Sequence, residues 1–248
     1  MQSNKIGAAS VALTLSMAVA SFPSTASVVI SGTRVIYKLA EKEQTVRLSN
    51  EGKQASLVQA WVDDGDIRAD PNTAVAPFLV SPPISRIDPA KGQSIRLIHT
   101  GEPVRQDVES LYYFNVLDVP PKPSAEQESG QLLQFAFRTR IKLFLRPAGL
   151  EGSASEAAAK VIWKIERHNG AWEITASNPT PYHVTFLKVE LQSPDVRASD
   201  TVGGMVAPHG VAIFKPKGVD GPAAWTTLEY RFINDHGGTA VGEVALPE

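Results

Sequence analysis

Between residues 28 and 233 the chain is written in short runs of alternating apolar and polar residues, separated by Gly, Pro, Asn and Asp, and no stretch sustains a helical period. A side-chain period of two puts successive residues on opposite faces, so each run reads as a half-buried strand and the chain as all-β. The first set covers 28–37, 45–49, 55–62, 78–81, 84–87, 94–99, 109–119 and 131–145. Eight runs in about 120 residues suit a β-sandwich of immunoglobulin type. After a small, polar, turn-rich stretch at 147–155 a second set begins at 160–167, 172–177, 184–191, 210–215 and 228–233. Asn169-Gly170 between two alternating runs is a strong hairpin signal. Two sandwiches in tandem are expected, with domains at 27–147 and 148–248.

The chain has no cysteine, so buried sheet faces must hold each sandwich together without disulfides. Residues 1–26 read as a secretory signal: Lys5 supplies positive charge, 6–20 is apolar and small, and Ser24-Thr25-Ala26 offers a cleavage site, with Ala18-Val19-Ala20 as an alternative. That apolar run is about 15 residues, shorter than the roughly 20 a membrane-spanning helix needs. No other segment approaches a span, so no membrane insertion is expected. Without Lys5 the mature chain carries 23 basic and 26 acidic residues, and this slight negative balance gives no electrostatic reason to expect nucleic acid as a partner.

The run Gln131-Leu-Leu-Gln-Phe-Ala-Phe-Arg-Thr-Arg-Ile-Lys-Leu-Phe-Leu-Arg-Pro147 stands apart. It places Leu133, Phe135 and Phe137 on one face and ends abruptly at a proline. A sheet edge with large apolar side chains at every second position is an aggregation hazard unless it is covered, paired, or used to capture another strand. Lys142 in this run has the opposite parity from the three apolar residues. A bulge, a twist near Arg140, or a cleft reached from the other face would each reconcile them.

Enzyme signatures are missing: there is no H-E-x-x-H, G-x-S-x-G, P-loop, G-x-G-x-x-G or paired Cys/His spacing, and the five histidines are scattered singly. No catalysis, cofactor or metal is expected. Asp63-Asp64-Gly65-Asp66 lacks the distal glutamate of a calcium loop and reads as a solvated turn. Arg34 and Lys142 sit within apolar strands, where a charge either points to water or faces a cleft that awaits an anion. Spacing alone favours two exposed charges.

Several motifs occur in one order: Gly32-Thr-Arg-Val-Ile-Tyr37, Val46-x-Leu-x-Asn50, Ala60-Trp-Val62, Ser81-Pro-Pro83 before Arg86-Ile87, Glu109-Ser-Leu-Tyr-Tyr-Phe-Asn115 with Val119-Pro-Pro121, and Arg140-Ile-Lys-Leu-Phe-Leu-Arg-Pro147. Asn178-Pro-Thr-Pro-Tyr182 and Phe232-Ile-Asn-Asp-His-Gly-Gly238 continue the series. Together they resemble the periplasmic pilus-assembly chaperones of the PapD and FimC type, across essentially the whole mature chain. The resemblance implies two immunoglobulin-like domains in a boomerang arrangement. It implies a chaperone that completes a pilus subunit by donating a strand and delivers it to an outer-membrane usher. Arg34 and Lys142 match the family's pair that holds the subunit's C-terminal carboxylate. Leu133, Phe135 and Phe137 match the donated residues, although the phenylalanines are bulkier than the aliphatics common there. Glu109, Arg146 and Asp235 match an ion network between the domains, and Ser81-Pro82-Pro83 a tandem proline that often holds a cis bond. The short 120–130 loop resembles the branch that builds rod-like pili. Whether the free chain hides its strand by self-association stays open, and a two-domain binding or adhesion protein without chaperone activity is the alternative.

Overall fold

The computed structural model describes residues 27–122, 134–219, 221 and 223–246; the expected signal segment and Leu133 lie outside them. The first sandwich is built from β1 (Val28–Ile30), β2 (Arg34–Lys38), β3 (Gln44–Asn50), β4 (Ser56–Asp63), β5 (Phe78–Ser81), β6 (Ile84–Ile87), β7 (Gly92–His99), β8 (Ser110–Val119) and β9 (Phe137–Arg146). One sheet runs β1-β3-β7-β5 and the other β2-β9-β8-β4-β6. Alternation does what the sequence requires of it: Leu48, Ile95 and Leu97 from one sheet meet Phe114, Leu143 and Leu145 from the other in a sealed core. Each such side chain contributes about 1.5–3 kcal/mol by leaving water. The Ser81–Pro82 bond is cis.

A four-residue helix, α1 (Ala154–Ala157), and a 3-10 turn (Ala158–Lys160) lead into the second sandwich. Its strands are β10 (Ile162–His168), β11 (Ala171–Ser177), β12 (Val184–Gln192), β13 (Arg197–Asp200), β14 (Gly204–Val206), β15 (Val211–Phe214), β16 (Thr227–Ile233) and β17 (Thr239–Ala245). They form a β10-β11-β15 sheet packed on a β13-β12-β16-β17 sheet, with β14 paired to β12. The Asn169-Gly170 hairpin forms as expected: both residues have positive φ, 50° and 85°, and His168 faces Ala171 across a two-residue loop.

Several expectations are corrected. The single run at 28–37 is two strands in different sheets, because the chain turns at 31–33 and crosses the sandwich there, with Gly32 at φ 114°. The last strand of the first domain begins at Phe137, not 131, so Phe135 precedes the ladder. Just after the turn-rich stretch at 147–155, where no element was expected, Ala157 and Ala158 are buried in the second core. Asp63 is no solvated turn residue: it closes β4 with none of its surface exposed, while Asp64 and Asp66 are exposed. Its burial follows from β9. Alternation in β4 stops at Ala60, after which residues on both faces are buried, because the Arg138 guanidinium lies 4.8 Å over the Trp61 ring and Arg140 pairs with Asp63.

Candidate functional site: a cationic cleft beside a free sheet edge

The parallel pairing of β2 with β9 starts at Arg34 opposite Lys142 and runs to Lys38 opposite Arg146. On its other edge β9 pairs with β8 from Phe137 opposite Asp118 to Leu145 opposite Ser110. Residues 137–141 therefore have a neighbour on one edge only, among the described residues. That free edge ends where β2 begins, at the two cations.

Period two then sorts β9 into faces. Ile141, Leu143 and Leu145 point into the first core, while Arg138, Arg140, Lys142, Phe144 and Arg146 share the other face. Both ladders run through Lys142 without a register shift, so no bulge brings it round to the side of Phe137. Of the three ways to reconcile the parity, the structure has the cleft reached from the other face.

That face meets the second domain. Arg34 donates from Nη1 to the Ile233 carbonyl at 3.1 Å, and Lys142 Nζ lies 3.4 Å from Thr185 Oγ1. Both side chains are half-buried, and neither forms an ion pair among the described residues; Arg34 Nε is buried with no partner. Burial lowers the Lys142 ammonium below its ordinary value, and the neighbouring Arg34 charge lowers it further. Burial also lowers Arg34, against a partial rise from Asp235 and Glu109. Two adjacent cations have thus lost water and, among the described residues, gained no carboxylate in hydrogen-bond contact, an arrangement that leaves their charge uncompensated. The expectation of two exposed outward charges, drawn from spacing, is wrong for both.

Two steps along the same face, beyond Phe144, Arg146 donates from Nε to Glu109 at 2.7 Å and forks onto both oxygens of Asp235 at 2.7 and 2.9 Å. Glu109 also accepts from the His183 backbone at 2.9 Å, and its Oε2 lies 3.2 Å from His183 Nδ1. Residues from the end of each sandwich thus meet on one guanidinium. Burial lowers Arg146, but the hydrogen bonds and charges of Asp235 and Glu109 outweigh it and leave the group raised. The turn bearing Asp235 is seated closely: Gly237 has φ 81°, and a side chain there would begin 2.5 Å from Thr33 Oγ1. Sequence reasoning missed His183, Thr185 and the Asp63 cluster. For Arg138 and Arg140 a signal existed, because they share the parity of Lys142 and Arg146.

Arg146→Ala is expected to loosen the joint and leave both sandwiches folded. Removing one partner of a buried pair costs about 3–5 kcal/mol, and the partial exposure of Asp235 lowers that figure. Small-angle scattering of the variant should show a broader distribution of shapes; a profile identical to the parent would refute the hinge role.

Among the described residues no helix is long and apolar enough to cross a membrane, and no three His, Cys, Asp or Glu side chains are grouped to hold a metal. Residues 27–151 match the family model for the pili and flagellar-assembly chaperone PapD N-terminal domain, and residues 156–243 that for the pili assembly chaperone PapD C-terminal domain. The chain is 39% identical over 229 residues to the chaperone protein HifB of Haemophilus influenzae, covering 91% of this chain and 90% of that one. It superposes on the crystal structure of the YadV chaperone, a protein of Escherichia coli (strain K12), with a TM-score of 0.73 at 40% identity, over 89% of this chain and 100% of that one. The SafA pilin–SafB chaperone complex of Salmonella enterica matches with a TM-score of 0.72 at 26% identity, over 89% of this chain and 96% of that one. With a family model on each sandwich and relatives that span its length, the chain belongs to the PapD family of pilus-assembly chaperones.

Proposed function

We propose that this chain is a periplasmic chaperone that binds pilus subunits by adding a strand to their incomplete fold, anchors the subunit's C-terminal carboxylate on Arg34 and Lys142, and passes the subunit to an outer-membrane usher. One observation carries the reading: the cation pair stands at the point where the free edge of β9 gives way to β2. A guest strand laid parallel to β9 along 137–141 occupies the line that β2 takes up at Arg34. Its chain therefore has to end there, and the terminal carboxylate falls between the guanidinium and the ammonium. Sheet addition supplies backbone hydrogen bonds, and the charge pair fixes register and end.

Phe135 and Phe137 supply the apolar part. Their ring centroids lie 6.4 Å apart and both side chains are exposed, as a segment awaiting a groove requires. Gln134 ties the segment back to the end of β8 by donating to the carbonyls of Pro120 and Pro121 at 3.2 and 2.7 Å. Leu133 is included in the donated set by the family pattern. The Glu109–Arg146–Asp235 network holds the two domains, divided at 147/148, in the relative position that keeps the cleft open. Export through a signal at 1–26 belongs to the same reading.

The test is a pilin co-expressed in the periplasm with this chain, in two forms: intact, and lacking its last residues. The intact pilin should co-purify in a one-to-one complex, and the shortened one should not. Equal recovery of both would overturn the carboxylate anchor, and recovery of neither would overturn the chaperone reading.

A further inference from the structure

We infer that Asp63 is a positioning residue for the donated strand, holding Arg138 and Arg140 so that the free edge of β9 is already formed before a guest arrives. This rests on the strand-donation reading above and names what prepares the strand. An edge with a neighbour on one side only loses half the contacts of an interior strand, and such segments are the first to open. Residues 137–141 are in that position, yet they run as regular strand. The structure shows what fastens them.

Asp63 accepts from Gly65 N at 2.8 Å, from Asn115 Nδ2 at 2.7 Å, from Arg138 Nη2 at 3.4 Å and from Arg140 Nε at 3.2 Å, with a further close bond from Arg140 Nη2. Arg138 adds two bonds to Asn115 Oδ1, at 3.0 and 2.9 Å, and one to the Ile67 carbonyl at 2.8 Å. Its guanidinium covers Trp61, and that of Arg140 lies 3.5 Å over the Tyr113 ring. Both arginines thus lie flat on the sheet, held by β4, β8 and the loop after β4. Burial would raise the Asp63 carboxyl, but the bonds from Arg140, Asn115 and Gly65 hold it below the ordinary value, so the anchor stays ionised at neutral pH.

The consequence follows from the strand period. Fixing residues 138 and 140 on one face fixes 137, 139 and 141 on the opposite face, which sets the direction of Phe137. A strand held this way has little conformational entropy left to lose when a guest joins it. The charge arrangement serves the anchor as well. Asp63 is occupied by two arginines and makes no bond to Lys142, so the carboxylate receptor one residue pair further along stays unneutralised.

The test compares wild type with Arg138→Gln, which keeps the Asp63–Arg140 pair, and with Asp63→Asn/Arg140→Gln, which removes both charges of that pair. Exchange of those amides of 137–141 that bond to β8 should quicken by about tenfold in the free protein, while the amides of Ile95 and Leu97, in the other sheet, keep their protection. Association with a purified pilin should slow by about tenfold, with dissociation changed much less, because Arg34 and Lys142 are intact. Variants that lose thermal stability but keep wild-type exchange at 137–141 and wild-type association would make the cluster an ordinary structural ion pair and overturn the inference. If wild type itself binds no pilin, the parent reading falls and takes this one with it. If wild type binds and the variants bind as fast, only this inference falls.

Discussion

Replacing Arg34 with Gln and Lys142 with Met together is expected to abolish pilin binding while leaving the free protein as stable as the parent, or more so. Both cations are half-buried without a carboxylate partner, and burial disfavours their charged forms. Removing them therefore relieves a desolvation cost in the free chain. The complex has the opposite interest. Truncating one partner of a buried, hydrogen-bonded charge pair costs about 2–5 kcal/mol, a factor of roughly 30 to several thousand in affinity for each cation. The pH dependence has two signs. Because folding lowers the Lys142 pKa, the unfolded chain binds more protons between the folded value and the ordinary 10.5, so this group's contribution to stability improves as pH rises through that window. Pilin binding needs the ammonium and weakens over the same window. Thermal unfolding and calorimetric titration with a pilin would measure the two slopes; a double variant that keeps its affinity would remove the anchor from the mechanism.

Local physics was legible and long-range pairing was not. Alternation placed the cores, and Asn169-Gly170 placed a hairpin, because each signal lies within a few residues of its effect. The run at 28–37 misled because alternation reports which side is buried, not which sheet does the burying; the chain keeps its inside-outside pattern while it changes sheets at 31–33. Asp63 misled for a related reason. Its partners stand 52, 75 and 77 residues away, and a carboxylate at a strand end next to Asp64-Gly65-Asp66 has every local mark of a turn. β13, β14 and β17 went unseen because Arg-Ala-Ser-Asp, Gly-Met-Val and a glycine-interrupted run carry little β signal of their own and form by pairing with β12 and β16. At the site, spacing pointed the wrong way for Arg34 and Lys142, and only family resemblance joined Glu109, Arg146 and Asp235, which are 37 and 89 residues apart along the chain. The parity of Lys142 against Phe137 was readable throughout. Its meaning, one strand serving two faces, needed the register.

Phe135→Ala and Phe137→Ala are expected to weaken the complex far more than the monomer. In the free protein Phe135 is 57% and Phe137 41% exposed, against 6% for Trp61 and 0% for Phe114, so truncation removes far less buried surface than it would at those core positions. A groove that covers the rings changes the account. Fully burying such a side chain is worth about 1.5–3 kcal/mol, which corresponds to an affinity loss of roughly ten- to a hundredfold for each alanine. The two rings are neighbours in the free chain, so their effects should not add: the first truncation lets the remaining ring shift, and the double variant should lose a different amount from the sum. A second readout comes from the exposed surface itself. An open apolar segment beside an unpaired edge invites self-association, and in sedimentation the double alanine variant should self-associate less than the parent. Melting temperature and pilin affinity, measured on the same preparations, decide the main point. A large loss of monomer stability with affinity unchanged would make the two phenylalanines ordinary core and remove the donated strand from this face of the molecule.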